Sequence, residues 1–155
     1  MEENSSLTRQ SLYLMCLDDE SVEYFEKSMG IRCLPLSGVD VHESHAKLWL
    51  LRVRVVSCLV NAGQSVIMSD SDALWLHDPM QDLAQPGDIS ESSIVASRGS
   101  YPAGLGWGST MCMGFIMFRA ASGTREDTVS AISEFLALMS DHMLIKSDDQ
   151  VAANM

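Results

Sequence analysis

The amino-acid sequence predicts an α/β fold in which a mostly parallel sheet carries helices on both faces. Two observations indicate this class. Short apolar runs of strand length alternate with longer segments in which apolar residues recur at helical spacing. The composition is that of a globular protein, with 46% hydrophobic and 20% charged residues. A chain of 155 residues is long enough to bury one core, so one domain is expected.

The first part of the chain predicts a strand, a helix and a second strand. The apolar run 11–18 ends in acidic residues and is typical of a buried strand. The segment that follows has apolar residues at helical spacing through Met29, and Gly30 is placed to end the helix. The run 31–36 predicts the second strand, in which Pro35 indicates a strand end or an edge position.

A long helix is predicted next, between Ser44 as its N-cap and Gly63 as its terminator. Its expected apolar face consists of Leu48, Leu51, Val55, Leu59 and Ala62. Arg52 and Arg54 lie between these positions, and a solvated face is the default expectation for them. Helix arginines close to a donor site can instead pair with phosphate.

The rest of the chain continues the alternation. Strands are predicted at 65–69, 93–98 and 114–120, and a glycine-rich loop is predicted at 99–108. Thr124 and Asp127 resemble a capping box for a further helix. Its apolar positions are Val129, Ile132, Leu136 and Met139. A last element begins within the final twelve residues, LIKSDDQVAANM.

Charge and hydropathy exclude several classes of partner. The net charge of −11 argues against nucleic acid and against anionic lipid, because both require a basic surface. An acidic chain is compatible with a site that gathers divalent cations. No segment has the length of uninterrupted apolar sequence that crosses a bilayer, and the first ten residues are polar and acidic, unlike a signal peptide.

The four cysteines include no CxxC pair, which argues against a zinc knuckle. Cys16, Cys33 and Cys58 lie inside apolar runs and are interpreted as small buried hydrophobic residues. The spacing neither requires nor excludes disulfides.

Two carboxylates follow the strand at 65–69, at Asp70 and Asp72. Strand geometry would place both side chains on the same face, where they repel each other unless a cation lies between them. Mg²⁺ or Mn²⁺ bound by one or two carboxylates leaves coordination positions open for phosphate oxygens. As an isolated tripeptide, however, DxD is common, and Asp70 could simply cap a turn.

Four ordered segments resemble one family. SVIMSDSDALWLHDPM resembles the signature of the nucleotide-diphospho-sugar transferases, a GT-A-fold group that includes plant cell-wall arabinosyl- and xylosyltransferases. MCMGFIMFR and SDDQVAAN resemble, in the right order, the segment after the donor site and the acidic-Gln-x-x-x-Asn stretch that faces the sugar. LYLMCLDDESVEYFEKSMGIRCLPL resembles the second strand and helix of the family. The resemblance covers nearly the whole chain.

The resemblance implies a role for five residues. Asp72 would bind the metal directly, Asp70 would contact ribose or metal, and Gly114 would allow the backbone to approach the donor. Asp149 and Gln150 would lie near the anomeric carbon and the acceptor; in an inverting enzyme Asp149 would be the base, and in a retaining enzyme it would position or stabilise the reacting centre. The expected cofactor is Mn²⁺ or Mg²⁺, and the expected location is the Golgi lumen or membrane.

The same resemblance implies the substrates, a nucleotide-diphosphate sugar such as a UDP-sugar as donor and a glycan or glycoprotein as acceptor. The sequence departs from the family pattern in two respects. Cys112 and Met113 occupy the place where the family usually has Asn, so the resemblance does not extend to a polar contact with the donor sugar or its neighbours there. The first strand of the fold and a C-terminal histidine ligand are not found, so residues 1–155 are expected to be a partial GT-A domain, truncated at both ends.

Two alternatives remain from the sequence. One is a phosphatase of the haloacid dehalogenase type, in which Asp70 attacks phosphate and Asp72 protonates the leaving group. Ala73 and the position of the motif midway along the chain argue against it. The other is a glycosyltransferase-like fragment or interaction module without catalytic activity.

Overall fold

The structure is a computed structural model that describes residues 11–36, 45–73, 75–76, 78–83, 91–100, 110–120, 126–146 and 148–155. It confirms the α/β class. The chain divides into two compact units, one formed by Met1–Glu43 with Trp75–Gln85 and the other by Ser44–Leu74 with Pro86–Met155. In the described parts, no helix is both long and apolar enough to cross a membrane. The caps predicted at Ser44 and Thr124, and the loop from residue 101 onward, lie outside the described residues.

The described elements are, in chain order, β1 (Tyr13–Cys16), α1 (Asp19–Glu23), a π-helical segment (Tyr24–Met29), β2 (Arg32–Pro35), α2 (His45–Asn61), β3 (Val66–Ser69), α3 (Pro79–Leu83), β4 (Ile94–Gly99), β5 (Thr110–Phe118), α4 (Glu126–Lys146) and α5 (Asp149–Ala152). Each predicted strand and helix is present. The largest shift of a predicted boundary is at β5, which begins four residues before the predicted start at Gly114.

In the first unit, β1 and β2 pair in parallel, with Leu14 opposite Cys33. Asp18 caps α1, because its side chain accepts a hydrogen bond of 2.7 Å from the backbone N–H of Ser21. The helix predicted to end at Gly30 does end there, since Gly30 adopts a left-handed conformation with φ of 64° that favours glycine. Pro35 is the last residue of β2, as its missing N–H predicts.

A disulfide joins Cys16 to Cys33 and links β1 to β2, with a Cα–Cα distance of 5.7 Å. Both residues are buried, as the sequence predicts, but they are bonded to each other and are not free thiols. Cys58 differs from the prediction, because it is an exposed free thiol on α2. The apolar residues around a cysteine do not reveal which helix face it occupies.

Replacing Cys33 with serine is expected to lower the free energy of unfolding by about 3 kcal/mol, the chain-entropy value for a loop of roughly this length. The two cysteines are separated by 17 residues. Urea denaturation of the variant and of the unmodified chain under oxidising conditions measures the difference. Cys58→Ser is the matched control, and equal losses in the two variants would show that the disulfide contributes nothing.

In the second unit, three strands form an antiparallel sheet in the order β3-β5-β4. The expected parallel pairing therefore holds for β1 and β2, whereas the strand before Asp70 lies in an antiparallel sheet. Apolar runs predict that strands exist but carry no information on the direction of their neighbours. The pairing of β5 with β4 is shifted by a bulge, because Ala96 lies opposite Ile116 but Ser97 lies opposite Cys112.

The core of the second unit lies between β5 and the helices α2, α4 and α5. Its fully buried larger side chains are Val53, Val60, Met113, Ile116, Phe118, Ile132, Leu136 and Met139. The apolar positions predicted for α4 are confirmed at Ile132, Leu136 and Met139. This core fixes β5 against α2, and the two elements together position the residues described below.

The predicted apolar face of α2 is wrong. The buried residues are Val53, Val56 and Val60, whereas Leu59, expected to be buried, is 38% exposed. The helix is apolar over most of its circumference, so periodicity alone does not select the face that packs. The helix ends as expected, with Gly63 in a left-handed conformation at φ of 74°.

Candidate functional site

Asp70 lies at the point where β3 ends. Its backbone N–H donates to the carbonyl of Gly114 at 2.9 Å, which continues the pairing of β3 with β5 by one residue. Its own carbonyl accepts a hydrogen bond of 3.2 Å from Ala73, which closes a turn. Asp72 lies in this turn and is exposed. Asp70 therefore keeps the strand pairing, whereas Asp72 is presented by a turn, so the strand geometry predicted for the pair does not extend to Asp72.

Gly114 lies directly against the Asp70 carboxylate. A Cβ at Gly114 would be 3.0 Å from Oδ2 of Asp70 and 3.4 Å from Sγ of Cys112, and the first distance is shorter than ordinary contact. Glycine thus leaves room for the close approach of the Asp70 carboxylate to the backbone of β5. These contacts identify Asp70 as the neighbour of Gly114. They do not test the role predicted for Gly114, which is to let the backbone approach the donor.

Arg52 connects Asp70 to Asp149. Its Nη1 donates to Oδ1 of Asp70 at 2.6 Å, while its Nε and Nη2 both contact Oδ2 of Asp149. The side chain of Asp149 is 4% exposed, that of Arg52 14% and that of Asp70 41%. One guanidinium group therefore bridges an inner and an outer carboxylate that lie 79 residues apart in the chain (149 − 70).

The electrostatics of this trio follow from burial and charge. Burial raises the pKa of Asp149, and the hydrogen bonds and charge of Arg52 offset the effect only in part. Burial alone would lower the pKa of Arg52, but the two carboxylates outweigh it and hold the pKa above its ordinary value. Arg52 is therefore positively charged at every physiological pH and is the fixed cation of the site.

Gln150 follows Asp149 on α5, and its side chain contacts the backbone of β5. Its Oε1 accepts from the N–H of Met113 at 2.7 Å, and its Nε2 donates to the carbonyl of Met111. Asn154, four residues further on, also bonds to both backbone groups of Met111. Asp148 is the N-cap of this helix, because its carboxylate accepts from the N–H of Val151 at 3.0 Å.

The carboxylates Asp70 and Asp72 offer the oxygen ligands that hard divalent cations prefer. In the described parts of the chain, no group of three His, Cys, Asp or Glu side chains is placed to hold a metal ion. One oxygen of Asp70 is bonded to Arg52, and Asp72 is open to solvent. This donor set fits a cation that takes its remaining oxygen ligands from a bound phosphate or from water.

The structure brings together Asp70, Gly114 and Asp149, three of the five residues predicted from the sequence, and it adds Arg52 as their link. Asp72 lies in the adjoining turn. The sequence interpretation placed Arg52 by default on a solvated face. Arg52 is adjacent to Val53, which is buried on α2. This adjacency indicates an inward position for Arg52 only once the buried face of the helix is known.

Comparison with known proteins supplies the family. The sequence model of the family described as nucleotide-diphospho-sugar transferase matches residues 10–155, nearly the whole chain. Searches of the curated proteins and of the solved structures found no match. The match includes all the elements that form the Asp70, Arg52 and Asp149 site. The chain therefore belongs to the nucleotide-diphospho-sugar transferase family.

Proposed function

We propose that this protein is a glycosyltransferase that moves a sugar from a nucleotide-diphosphate donor, a UDP-sugar, to a glycan or glycoprotein acceptor. Family membership implies a nucleotide-sugar donor and a sugar acceptor. The single observation that carries the proposal is the bridge from Asp70 through Arg52 to Asp149. It joins the end of β3, where the diphosphate would bind, to the start of α5, where the sugar would lie.

The charges of the site suit a diphosphate leaving group once a divalent cation is bound, because the carboxylates of the site outnumber its one guanidinium. Arg52 is a permanent cation, and its guanidinium is held in one orientation by two carboxylates on different elements. A cation fixed in advance stabilises charge that develops on a leaving group without the cost of reorienting water. Asp70 and Asp72 would hold Mn²⁺ or Mg²⁺, which when bound supplies further positive charge to the diphosphate.

Asp149 is the residue of the site with the most perturbed environment. Its carboxylate is buried, is bonded to Arg52 and has a raised pKa, so it is a stronger proton acceptor than an exposed aspartate. In an inverting reaction Asp149 is the base that takes the proton of the acceptor hydroxyl. In a retaining reaction it stabilises the positive charge that develops on the sugar. The anomeric configuration of the product, measured by NMR, distinguishes the two roles.

Replacing Asp72 with asparagine is expected to abolish the Mn²⁺-dependent part of UDP binding, because an amide is a much weaker ligand for a hard cation than a carboxylate. Isothermal titration of the chain with UDP, with and without MnCl₂, measures this. We expect the affinity in the presence of Mn²⁺ to fall by about a hundredfold, close to 2.7 kcal/mol.

Asp141→Asn is the control for this experiment, because Asp141 is an exposed carboxylate on α4 of the same unit. It removes the same charge and should leave binding unchanged. Equal affinities for the Asp72 variant and the unmodified chain would refute the proposed metal site. Formation of an acid-stable aspartyl-phosphate at Asp70 would instead support the phosphatase alternative.

We further propose that the protein acts in the Golgi lumen or at its membrane. The disulfide between Cys16 and Cys33 supports this location, since structural disulfides persist in the oxidising secretory pathway and are rare in the cytosol. Fractionation of cells that express the tagged protein, with mapping of the Cys16–Cys33 bond under non-reducing conditions, tests the location. A reduced protein in the cytosolic fraction would contradict it.

A further inference from the structure

The short helix α5 is attached to β5 by two amide side chains, those of Gln150 and Asn154, here called the amide clamp. Gln150 accepts from the N–H of Met113 and donates to the carbonyl of Met111. Asn154 accepts from the N–H of Met111 at 2.8 Å and donates to its carbonyl at 3.0 Å. Asn154 also donates to the carbonyl of Gln150 at 2.8 Å, which joins the two members of the clamp.

The clamp lies where strand pairing changes along β5. Pairing with β3 ends at Phe115, and the last backbone bond is the one from Asp70 to Gly114. Pairing with β4 skips from Ile116 to Cys112 because of the bulge. On the N-terminal side of Gly114, the N–H of Met113 is bonded by Gln150 of α5. Both backbone groups of Met111 are bonded by Asn154, which lies two residues after the end of α5. The amide groups thus take the place of a neighbouring strand.

The clamp also determines where Asp149 lies. α5 comprises only four residues, too few to form a stable helix alone, so its place depends on tertiary contacts. Asp149 is adjacent to Gln150 and reaches Arg52 from the first residue of this helix. Asn154 is buried, and its side chain bonds to the backbone of Met111 in β5 and of Gln150 in α5.

We propose that Gln150 and Asn154 are positioning residues, which dock α5 on β5 and thereby hold Asp149 against Arg52. The catalytic consequence of this inference rests on the proposed function, whereas the hydrogen bonds of the clamp do not depend on it. It changes the interpretation of Gln150, which the family resemblance places beside the anomeric carbon. Both polar atoms of its side chain are bonded to the backbone of β5, so its role is exerted through α5.

The first measurement is amide hydrogen exchange at Met111 and Met113 by NMR. Gln150→Ala is expected to speed exchange at Met113 by about tenfold, the factor for one lost hydrogen bond. Asn154→Ala is expected to do the same at Met111. Met155→Ala is the control, because Met155 adjoins Asn154 but is 62% exposed. Unchanged exchange at both amides would overturn the clamp whatever the activity of the protein.

The second measurement separates positioning from chemistry. If the clamp positions Asp149, both variants lower kcat/KM for the sugar donor, and the double variant loses less than the product of the two single losses, because the side chains act as one unit. If Gln150 acts on the reacting atoms, Gln150→Ala lowers kcat while Asn154→Ala leaves it unchanged, which would overturn the inference.

Asn154→Asp guards against a variant that fails to fold. It keeps the acceptor for the N–H of Met111 and loses the donors to Met111 and Gln150. We expect exchange at Met111 between that of the unmodified chain and that of Asn154→Ala. An exchange rate as fast as that of Asn154→Ala would show that the retained acceptor does not protect Met111 and would contradict the clamp. Altered exchange in a protein without any transferase activity would reject the proposed function and leave the clamp standing.

Discussion

Replacing Arg52 with methionine is expected to destabilise the protein by about 3 to 5 kcal/mol, because it leaves the buried carboxylate of Asp149 without its cation. Asp149 contacts Arg52 through Nε and Nη2, and its side chain is 4% exposed. The contact with Asp70 adds little, since that carboxylate is 41% exposed and its charge is screened by water. Urea denaturation at neutral pH measures the loss, which is a large share of the stability of an ordinary domain.

Arg54→Met is the matched control for this change. Arg54 lies two residues along the same helix and is exposed, so the variant should differ from the unmodified chain by less than about 0.5 kcal/mol. A double variant, Arg52→Met with Asp149→Leu, removes both buried charges and should recover most of the loss. Equal destabilisation by the Arg52 and Arg54 variants would show that the bridge does not exist in solution.

The loss in the Arg52 variant is expected to shrink on acidification. Burial raises the pKa of Asp149 above its ordinary 3.8, and the charges of Asp148 and Asp70 add to this, while Arg52 opposes it. Without Arg52 the pKa rises further. A group with a higher pKa in the folded state favours folding at low pH, and this stabilisation is lost as the pH rises from 3.8 through the folded-state value. The difference from the unmodified chain is therefore largest at neutral pH.

The strands and helices were predictable because their signals are local. Apolar runs, Gly30 and Gly63 determine where β1, α1, α2 and β3 begin or end, and the structure confirms them within a few residues. Asp70 was predictable for the same reason, since it follows an apolar strand directly. A local signal does not specify which strands pair or in which direction. The antiparallel pairing of β3 with β5 was therefore not predicted.

The inward position of Arg52 and the docking contacts of the amide clamp were not predicted, for a physical reason. The apolar residues of α2 cover most of its surface, so the choice of buried face depends on the shape of the core that β5 and α4 provide. Once Val53 and Val56 are buried, Arg52 is carried inward with them. The family resemblance includes Asn154, but its docking role could not be read from the sequence, because its partners are backbone groups of Met111, more than forty residues earlier. Contacts between distant segments decide both positions.

The second large effect is expected at Gly114. Gly114→Ala places a Cβ 3.0 Å from Oδ2 of Asp70, whose other oxygen is held by Arg52, so the carboxylate must move. We expect a loss of about 1 to 3 kcal/mol in stability from overpacking. Affinity for UDP in the presence of Mn²⁺ is expected to fall by about ten- to a hundredfold if Asp70 is a metal ligand as proposed, since its carboxylate is displaced. Denaturation and isothermal titration measure the two losses.

In a variant that lacks the Asp70 carboxylate, Gly114→Ala is expected to stabilise the fold instead of destabilising it. Gly114 does not have a positive φ, so alanine can adopt its backbone conformation without strain. In a chain that already carries Asp70→Ala, the collision with Oδ2 is absent, and Gly114→Ala should stabilise the fold by about 0.4 to 1 kcal/mol through the lower entropy of the unfolded chain. A destabilisation of the same size in both backgrounds would mean that Gly114 is required by its other neighbours, such as Cys112, and not by Asp70. A change of sign between the two backgrounds would therefore show that contact with the Asp70 carboxylate is the reason why glycine is favoured at position 114.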